Sequence, residues 1–172
     1  MDEKIYTEIS ILVEYPAAFR KSVADAEMPG NLLKIKVNDE FIIGSKDSYT
    51  ECPLMGSTFI EALEGIIRIF NHEKSIVEFH SGGGTLLIIE PRDERTVNLT
   101  PAFSQESIDN PEKRIFESKT VKRKLVISEI IRVSKEWKNR SIHVNKEIIQ
   151  TQWFNDFEKA LTEAESARAE NG

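Results

Sequence analysis

Residues 58–71, TFIEALEGIIRIFN, decide the fold that the sequence predicts. Large apolar side chains recur there every three or four positions, which is the spacing that lines one face of an α-helix. They are Phe59, Leu63, Ile66, Ile67 and Phe70. Thr58 followed three residues later by Glu61 is a capping-box pattern, so we expect the helix to begin at Thr58. An apolar face this broad needs a second layer of structure to cover it.

The strand patterns that follow the helix predict that second layer. Residues 75–80 alternate between polar and apolar side chains, and residues 81–84, a serine and three glycines, turn the chain. Residues 85–90 are almost continuously apolar, as in a central strand that is covered on both faces. Residues 95–100 alternate again. We therefore expect a β-meander that packs against the helix.

The N-terminal part of the chain adds further strands. Residues 5–15 alternate and predict a strand, and residues 31–44 predict a hairpin with Asn38 and Asp39 in its turn. Between them, residues 16–30 contain two prolines and several small residues, so we interpret this stretch as a long loop with room for one helical turn.

The C-terminal part is predicted to hold one long strand and two helices. Residues 115–127 alternate and predict a strand with a charged outer face. Ser128 is the predicted cap of the first helix and Asn145 that of the second. Trp137 and Trp153 fall on the apolar faces of these helices, which indicates that both pack in the core.

Together these elements predict an α+β fold: a mostly antiparallel sheet of about six strands, covered by one central helix and two C-terminal helices. With 172 residues the chain fits a single domain, residues 1–172. Its parts are the N-terminal strands and hairpin (1–52), the helix, meander and long strand (53–127), the two C-terminal helices (128–165) and a frayed tail (166–172).

Composition limits the cellular compartments in which the protein is expected to occur. The single cysteine, Cys52, rules out an intrachain disulfide and favours a reducing compartment. The first residues are acidic and do not lead into the apolar stretch of a signal peptide. No apolar run approaches the roughly 20 residues of a membrane-spanning helix. These features predict a cytoplasmic protein with no membrane partner.

Charge is distributed unevenly along the chain. Residues 119–146, termed the basic band, contain nine Lys or Arg and two Glu, which gives a net charge of +7. The whole chain carries −6, so the other residues sum to −13. Because an acidic surface repels phosphate, nucleic acid is an unfavoured partner. Three uses of the basic band stay open: internal pairing with acidic residues, contact with a protein, or contact of residues 119–140 with nucleic acid.

No combination of residues in the sequence predicts catalysis, a cofactor or a metal. Cys52 lies beside Glu51, whose charge raises the pKa expected of the thiol and so disfavours a nucleophile. His72, His80 and His143 have no second His or Cys at metal-ligand spacing. We therefore expect a protein that is not an enzyme.

One glycine-rich turn leaves an enzymatic alternative open. Gly82, Gly83 and Gly84 follow closely after His80, and successive backbone N–H groups in such a turn can bind an anion. The alternative function is a small hydrolase that uses this loop as an anion site. A plain hairpin turn explains the same residues, and the Gly-x-Ser-x-Gly pattern that accompanies a comparable loop in esterases is absent from the sequence.

From Pro53 onward, the order of elements resembles the immunity proteins of bacterial polymorphic and contact-dependent toxin systems. The resemblance is one of layout over about residues 53–161: Pro53 and Leu54 before the helix, FIEAL at 59–63, VEF at 77–79, LLII at 86–89 and then two helices. It implies a small, acidic, cytosolic protein without catalytic activity. Such a protein binds a cognate toxin domain and covers or deforms its active site. The basic band departs from the uniformly acidic surface of that class.

The leading hypothesis is a non-enzymatic protein-binding factor. An acidic surface attracts a basic partner and can block the path of its substrate, and a toxin domain with a basic cleft would suit it. The candidate partner-binding residues are Asp39, Glu40, Asp47 and Glu51, because they lie in or beside predicted loops of the acidic N-terminal half.

Overall fold

Two β-sheets and five α-helices form the part of the chain that the computed structural model describes, residues 3–79 and 84–172. The strands are Ile5–Tyr6 (β1), Ile9–Glu14 (β2), Asn31–Val37 (β3), Glu40–Ile43 (β4), Thr50–Cys52 (β5), Ser75–Glu78 (β6), Leu86–Pro91 (β7), Thr96–Ala102 (β8) and Lys119–Lys122 (β9). The helices are Ala17–Ala24 (α1), Met55–Phe70 (α2), Glu106–Asp109 (α3), Arg123–Val144 (α4) and Gln152–Asn171 (α5). The predicted α+β class is confirmed. None of the helices in these ranges is long and apolar enough to span a membrane.

The strands divide into two sheets instead of the single sheet of about six strands that the sequence predicts. The larger sheet has the order β1-β9-β8-β7-β6, and in the smaller sheet β3 pairs with β2 on one side and with β4 and β5 on the other. Neighbouring strands are antiparallel except β1 and β9, which are parallel. Alternation locates strands but does not say which strands pair, so the separate smaller sheet is not visible in the pattern.

Helix α2 packs against β6 and α5, and it begins three residues before the predicted cap. Met55 at its start is buried, and the Met55 N–H donates to the carbonyl of Pro29 at 3.1 Å, so a backbone acceptor replaces a side-chain cap. The predicted capping box is therefore wrong. Thr58 and Glu61 instead contact β6, where the Thr58 hydroxyl donates to the Glu78 carbonyl at 3.4 Å and Glu61 accepts from the Glu78 N–H.

The predicted strand over residues 115–127 is wrong in its second half. Helix α4 begins at Arg123, directly after β9, so Ser128 lies inside the helix and does not cap it. Val121 and Leu125 are four positions apart, a spacing that fits one face of a strand as well as one face of a helix. The periodicity therefore did not locate the boundary between the two elements.

The connection from α4 to α5 also differs from the prediction. Asn145 caps a 3-10 turn over Lys146–Gln150 by accepting a hydrogen bond from the Glu147 N–H at 3.0 Å. The last helix is capped by Thr151. Most of the segment 166–172, which the sequence predicts to fray, belongs to α5.

Helix α1 occupies part of residues 16–30, the stretch interpreted as a long loop. It buries Phe19 and Val23, which are four positions apart and so lie on one helix face. Because this helix is short and buries only two large side chains, its periodic signal is weak.

An aromatic cluster joins α2, α4 and α5 in the core. Trp137 is fully buried, and its ring centre lies 5.0 Å from that of Phe157 and 5.4 Å from that of Phe59. The predicted core position of Trp137 is confirmed. Trp153 is only partly buried, and its Nε1 donates to the Ala26 carbonyl at 3.1 Å.

Candidate functional site

Cys52, whose thiol the sequence predicts to be unreactive, is enclosed in the core. The residue has no exposed surface, and burial raises the pKa of its thiol to about 12. A thiol with so high a pKa is protonated at neutral pH and is a poor nucleophile.

The two described histidines, His72 and His143, lie apart from each other at the ends of two different helices. His72 follows α2 in a left-handed backbone conformation, with φ of 57°, and His143 is exposed in the last turn of α4. Within the described residues, no three His, Cys, Asp or Glu side chains converge as a metal ion would require. His80, Gly82 and Gly83 lie outside the described residues, so the glycine-loop alternative stays a prediction.

The basic band is paired with carboxylates over much of its length. Five of its nine cations form salt bridges: Lys119 with Glu40, Arg132 with Glu129 and Glu136, Lys135 with Glu165, Lys138 with Glu158 and Arg140 with Glu136. Lys122, Arg123, Lys124 and Lys146 form none with any described residue. Internal pairing therefore accounts for Lys119 and for the cations between residues 132 and 140, but not for residues 122–124 or for Lys146.

The four candidate partner-binding residues are all exposed, and the structure distributes them along one side of the smaller sheet. Asp39 and Glu40 lie at the turn from β3 to β4, Asp47 in the loop from β4 to β5, and Glu51 in β5. Asp47 and Glu51 form no salt bridge with a described residue, and the Asp39 carboxylate lies 3.9 Å from Lys36 Nζ. Three of the four carboxylates therefore remain accessible to a partner.

Glu40 differs because its carboxylate connects the two sheets. It accepts hydrogen bonds from Lys119 Nζ at 2.6 Å and from the Tyr6 hydroxyl at 3.4 Å, and Lys4 Nζ lies 4.0 Å away. The hydrogen bond from Lys119 is the main reason that the pKa of Glu40 is lowered. Since Glu40 already links β4 to β9, it is a weaker candidate for partner binding than the sequence indicates.

A groove of about 540 Å³ opens beside Glu40. We term it the aromatic groove and define it by β4 on one side and by Phe103, Ile115 and Phe116 on the other. These three residues are 55%, 77% and 40% exposed, and the rings of Phe103 and Phe116 meet edge to face with their centres 5.3 Å apart. Exposed apolar clusters that contain aromatic residues are typical of protein interaction sites.

Acidic side chains border the aromatic groove. Glu117 is exposed and forms no salt bridge with a described residue, and Asp47 lies in the loop that lines the other side. Two nearby cations are engaged, because Lys119 pairs with a carboxylate and Lys34 Nζ donates to two backbone carbonyls. Lys46 is exposed in the same loop as Asp47. The accessible carboxylates of Asp47 and Glu117 therefore outnumber the accessible ammonium group of Lys46, and the net accessible charge at the border is negative.

The sequence reasoning missed the aromatic groove. Phe103 follows β8, and Ile115 and Phe116 precede β9, so the groove is assembled by pairing of the two strands that flank these residues. The signal that could have found it is the adjacent apolar pair Ile115 and Phe116 between charged residues, which breaks the alternation at the start of the strand predicted over residues 115–127.

No protein-family model matches the sequence, and neither a curated protein nor a solved structure matches it.

Proposed function

We propose that the protein is a non-enzymatic protein-binding factor whose partner docks on the aromatic groove. The observation that carries the proposal is the contact between Phe103 and Phe116, whose rings pack against each other while both remain accessible. Covering apolar surface contributes roughly 25 cal/mol per Å². Large aromatic side chains dominate the energetic centre of many interfaces, so this pair is suited to anchoring a partner.

The accessible charge around the groove defines the chemistry of the partner. Asp47 and Glu117 border the groove and carry carboxylates that form no salt bridge with described residues, and the same is true of Glu51 in β5. A protein that presents Lys or Arg around an apolar centre is complementary to this arrangement. Complementary charges accelerate association and disfavour acidic competitors.

More specifically, we propose that this protein-binding factor is an immunity protein, which neutralises a cognate toxin by occluding the active site of the toxin. It is supported by the resemblance of layout over about residues 53–161. It is also supported by the exposed carboxylates beside an apolar groove, since a surface of this kind can cover a basic catalytic cleft.

The test is a pull-down with mass spectrometry from the organism that encodes the protein, using matched variants. The F103S/F116S variant removes both aromatic side chains of the groove. The I149S control replaces an apolar residue that is 51% exposed and does not line the groove. We expect the wild type and I149S to recover the same stoichiometric protein, and F103S/F116S to lose it.

The recovered partner is then titrated with the purified proteins by calorimetry. The D47N/E117Q variant is expected to weaken binding and to reduce its dependence on salt, because border charges act mainly through screened electrostatics. If the partner is a toxin domain, its activity should fall in proportion to the amount of this protein added. Equal binding by F103S/F116S would contradict the docking surface, and recovery of no stoichiometric protein would contradict the function.

A further inference from the structure

A second cleft, of about 1010 Å³, lies where β9 joins α4. We term it the basic cleft. Its walls come from the turn between β7 and β8, the beginning of α4, and the ends of α2 and α5. Its cationic side chains are Arg95, Lys122, Arg123, Lys124 and Arg168. None of the five forms a salt bridge with a residue of the described chain, so this cleft holds three of the four cations of the basic band that internal pairing leaves unexplained.

The acidic side chains of the basic cleft do not neutralise these cations. Asp93 is held within its own turn, where Oδ1 accepts from the N–H groups of Arg95 and Thr96 at 2.7 and 2.8 Å and Oδ2 accepts from the Thr96 hydroxyl at 2.8 Å. The backbone hydrogen bond from Arg95 is the largest of the effects that lower the pKa of Asp93. Glu94 is exposed and forms no salt bridge with a described residue. Five cationic side chains therefore face two acidic side chains.

Helix α4 adds the positive end of its dipole to the same cleft. Acidic residues are favoured in the first turn of a helix, but the first turn of α4 contains none and instead carries Arg123 and Lys124. Lys122, at the cap position, offers no side-chain acceptor. Like charges gathered at a positive helix end destabilise the fold unless an anion offsets them.

We propose that the basic cleft binds a small molecule that carries several phosphate groups, of the nucleoside triphosphate or inorganic triphosphate kind. The cations converge from three separate segments, so several phosphate oxygens can be contacted at once. The volume of the basic cleft, about 1010 Å³, is at the upper end of the roughly 300–1,000 Å³ usual for small-molecule sites. A long nucleic acid fits less well, because the residues outside the basic band sum to a net charge of −13 and repel an extended polyanion.

An apolar wall beside the cations offers a place for a base. Phe70 is partly buried at the end of α2, and the Arg123 guanidinium lies 5.0 Å from the centre of its ring. Ile5 and Ile127 line the same cleft. Planar bases pack on such surfaces, so a nucleotide would gain contacts that inorganic triphosphate lacks.

Isothermal titration calorimetry at low salt tests the proposal with adenosine triphosphate and inorganic triphosphate as probes. The K122Q/K124Q variant removes two exposed cations that make no hydrogen bond in the described structure, so it should fold normally. K146Q removes an exposed cation of the basic band outside the cleft and is the matched control. We expect K122Q/K124Q to weaken binding of both probes by about tenfold or more, and K146Q to leave it unchanged.

Comparing the two probes also distinguishes a nucleotide ligand from a polyphosphate that has no base. Tighter binding of adenosine triphosphate supports a nucleotide whose base uses the Phe70 wall, and equal binding supports recognition of the phosphates alone. Absence of binding for both probes overturns the proposal, as does undiminished binding by K122Q/K124Q. A short single-stranded oligonucleotide that binds more tightly than either probe overturns the choice of a small ligand in favour of nucleic acid.

Discussion

The carboxylate of Glu129 in α4 accepts a hydrogen bond from the backbone N–H of Ile11 in β2 at 3.0 Å. Arg132 donates to the Ile11 carbonyl at 3.3 Å and to Glu129 at 2.7 Å. Because β2 is an edge strand of the smaller sheet, these two side chains bind backbone groups that another strand could otherwise bind. Burial alone would raise the pKa of Glu129, but the hydrogen bonds from Arg132 and Ile11 outweigh it and lower the pKa.

Replacing Glu129 should therefore weaken the fold and expose the edge of β2. We expect E129A to lower the free energy of unfolding by about 1.5–3 kcal/mol, the usual contribution of hydrogen bonds to a charged group. Urea denaturation measures this change, and light scattering should show increased aggregation. E64A, which removes an exposed carboxylate of α2 that forms no salt bridge with a described residue, is the control. An unchanged denaturation midpoint in E129A would contradict the role assigned to Glu129.

The contact between Glu40 and Lys119 predicts a loss of stability in acid. The hydrogen bond from Lys119 holds the pKa of Glu40 below its ordinary value of 4.5. The carboxylate therefore stabilises the fold fully above that value, and this stabilisation is lost as the pH falls through the lowered pKa. We expect E40Q to unfold at a lower urea concentration than the wild type at neutral pH, with a difference that disappears in acid. D47N should match the wild type throughout, and a difference in E40Q that persisted in acid would refute the explanation.

A buried hydrogen-bonded pair joins the smaller sheet to α4. Asn31 Oδ1 accepts from Trp137 Nε1 at 3.1 Å, and Asn31 Nδ2 donates to the Glu14 carbonyl at 3.0 Å. The N31A variant leaves the buried Trp137 N–H without its acceptor and the Glu14 carbonyl without this donor, so we expect the free energy of unfolding to fall by about 1–3 kcal/mol. The exposed N139A variant should lie within about 0.5 kcal/mol of the wild type. Equal stability of N31A and N139A would show that the hydrogen bond between Asn31 and Trp137 does not hold the smaller sheet against α4.

The environment of Cys52 predicts a thiol that is protected in the native protein. Its burial and its pKa of about 12 leave almost no thiolate at neutral pH. We expect Ellman's reagent to label the native protein only as fast as the core opens, and to label the urea-unfolded protein at once. Rapid labelling of the native protein would show that the thiol is accessible.

The fold class followed from the sequence because the strongest patterns are local. Helix α2 carries its apolar residues through four turns, and β7 is a continuous apolar run. These signals depend on the residues of one element only, and both elements are present, although α2 begins three residues before its predicted start. The start of α2 was placed wrongly because the acceptor at its beginning is the Pro29 carbonyl, which belongs to a distant segment.

Strand partners and surfaces were not predictable in the same way. The choice of β3 as the partner of β2 places Ile9 opposite Val37, a contact that no local pattern contains. The aromatic groove likewise depends on β8 and β9 lying side by side. Exposure of the four acidic candidates was expected from their loop positions, whereas the contact between Glu40 and Lys119 joins residues from two different sheets.

Strand β1 consists of Ile5 and Tyr6, which pair with Thr120 and Val121. During synthesis on the ribosome, β1 must therefore wait until the chain has been extended from Ile5 to Thr120 before its native neighbour exists. Closing so long a segment is entropically costly, and contacts of large sequence separation slow folding. The larger sheet is thus completed late, after the β6–β7–β8 meander has had time to form.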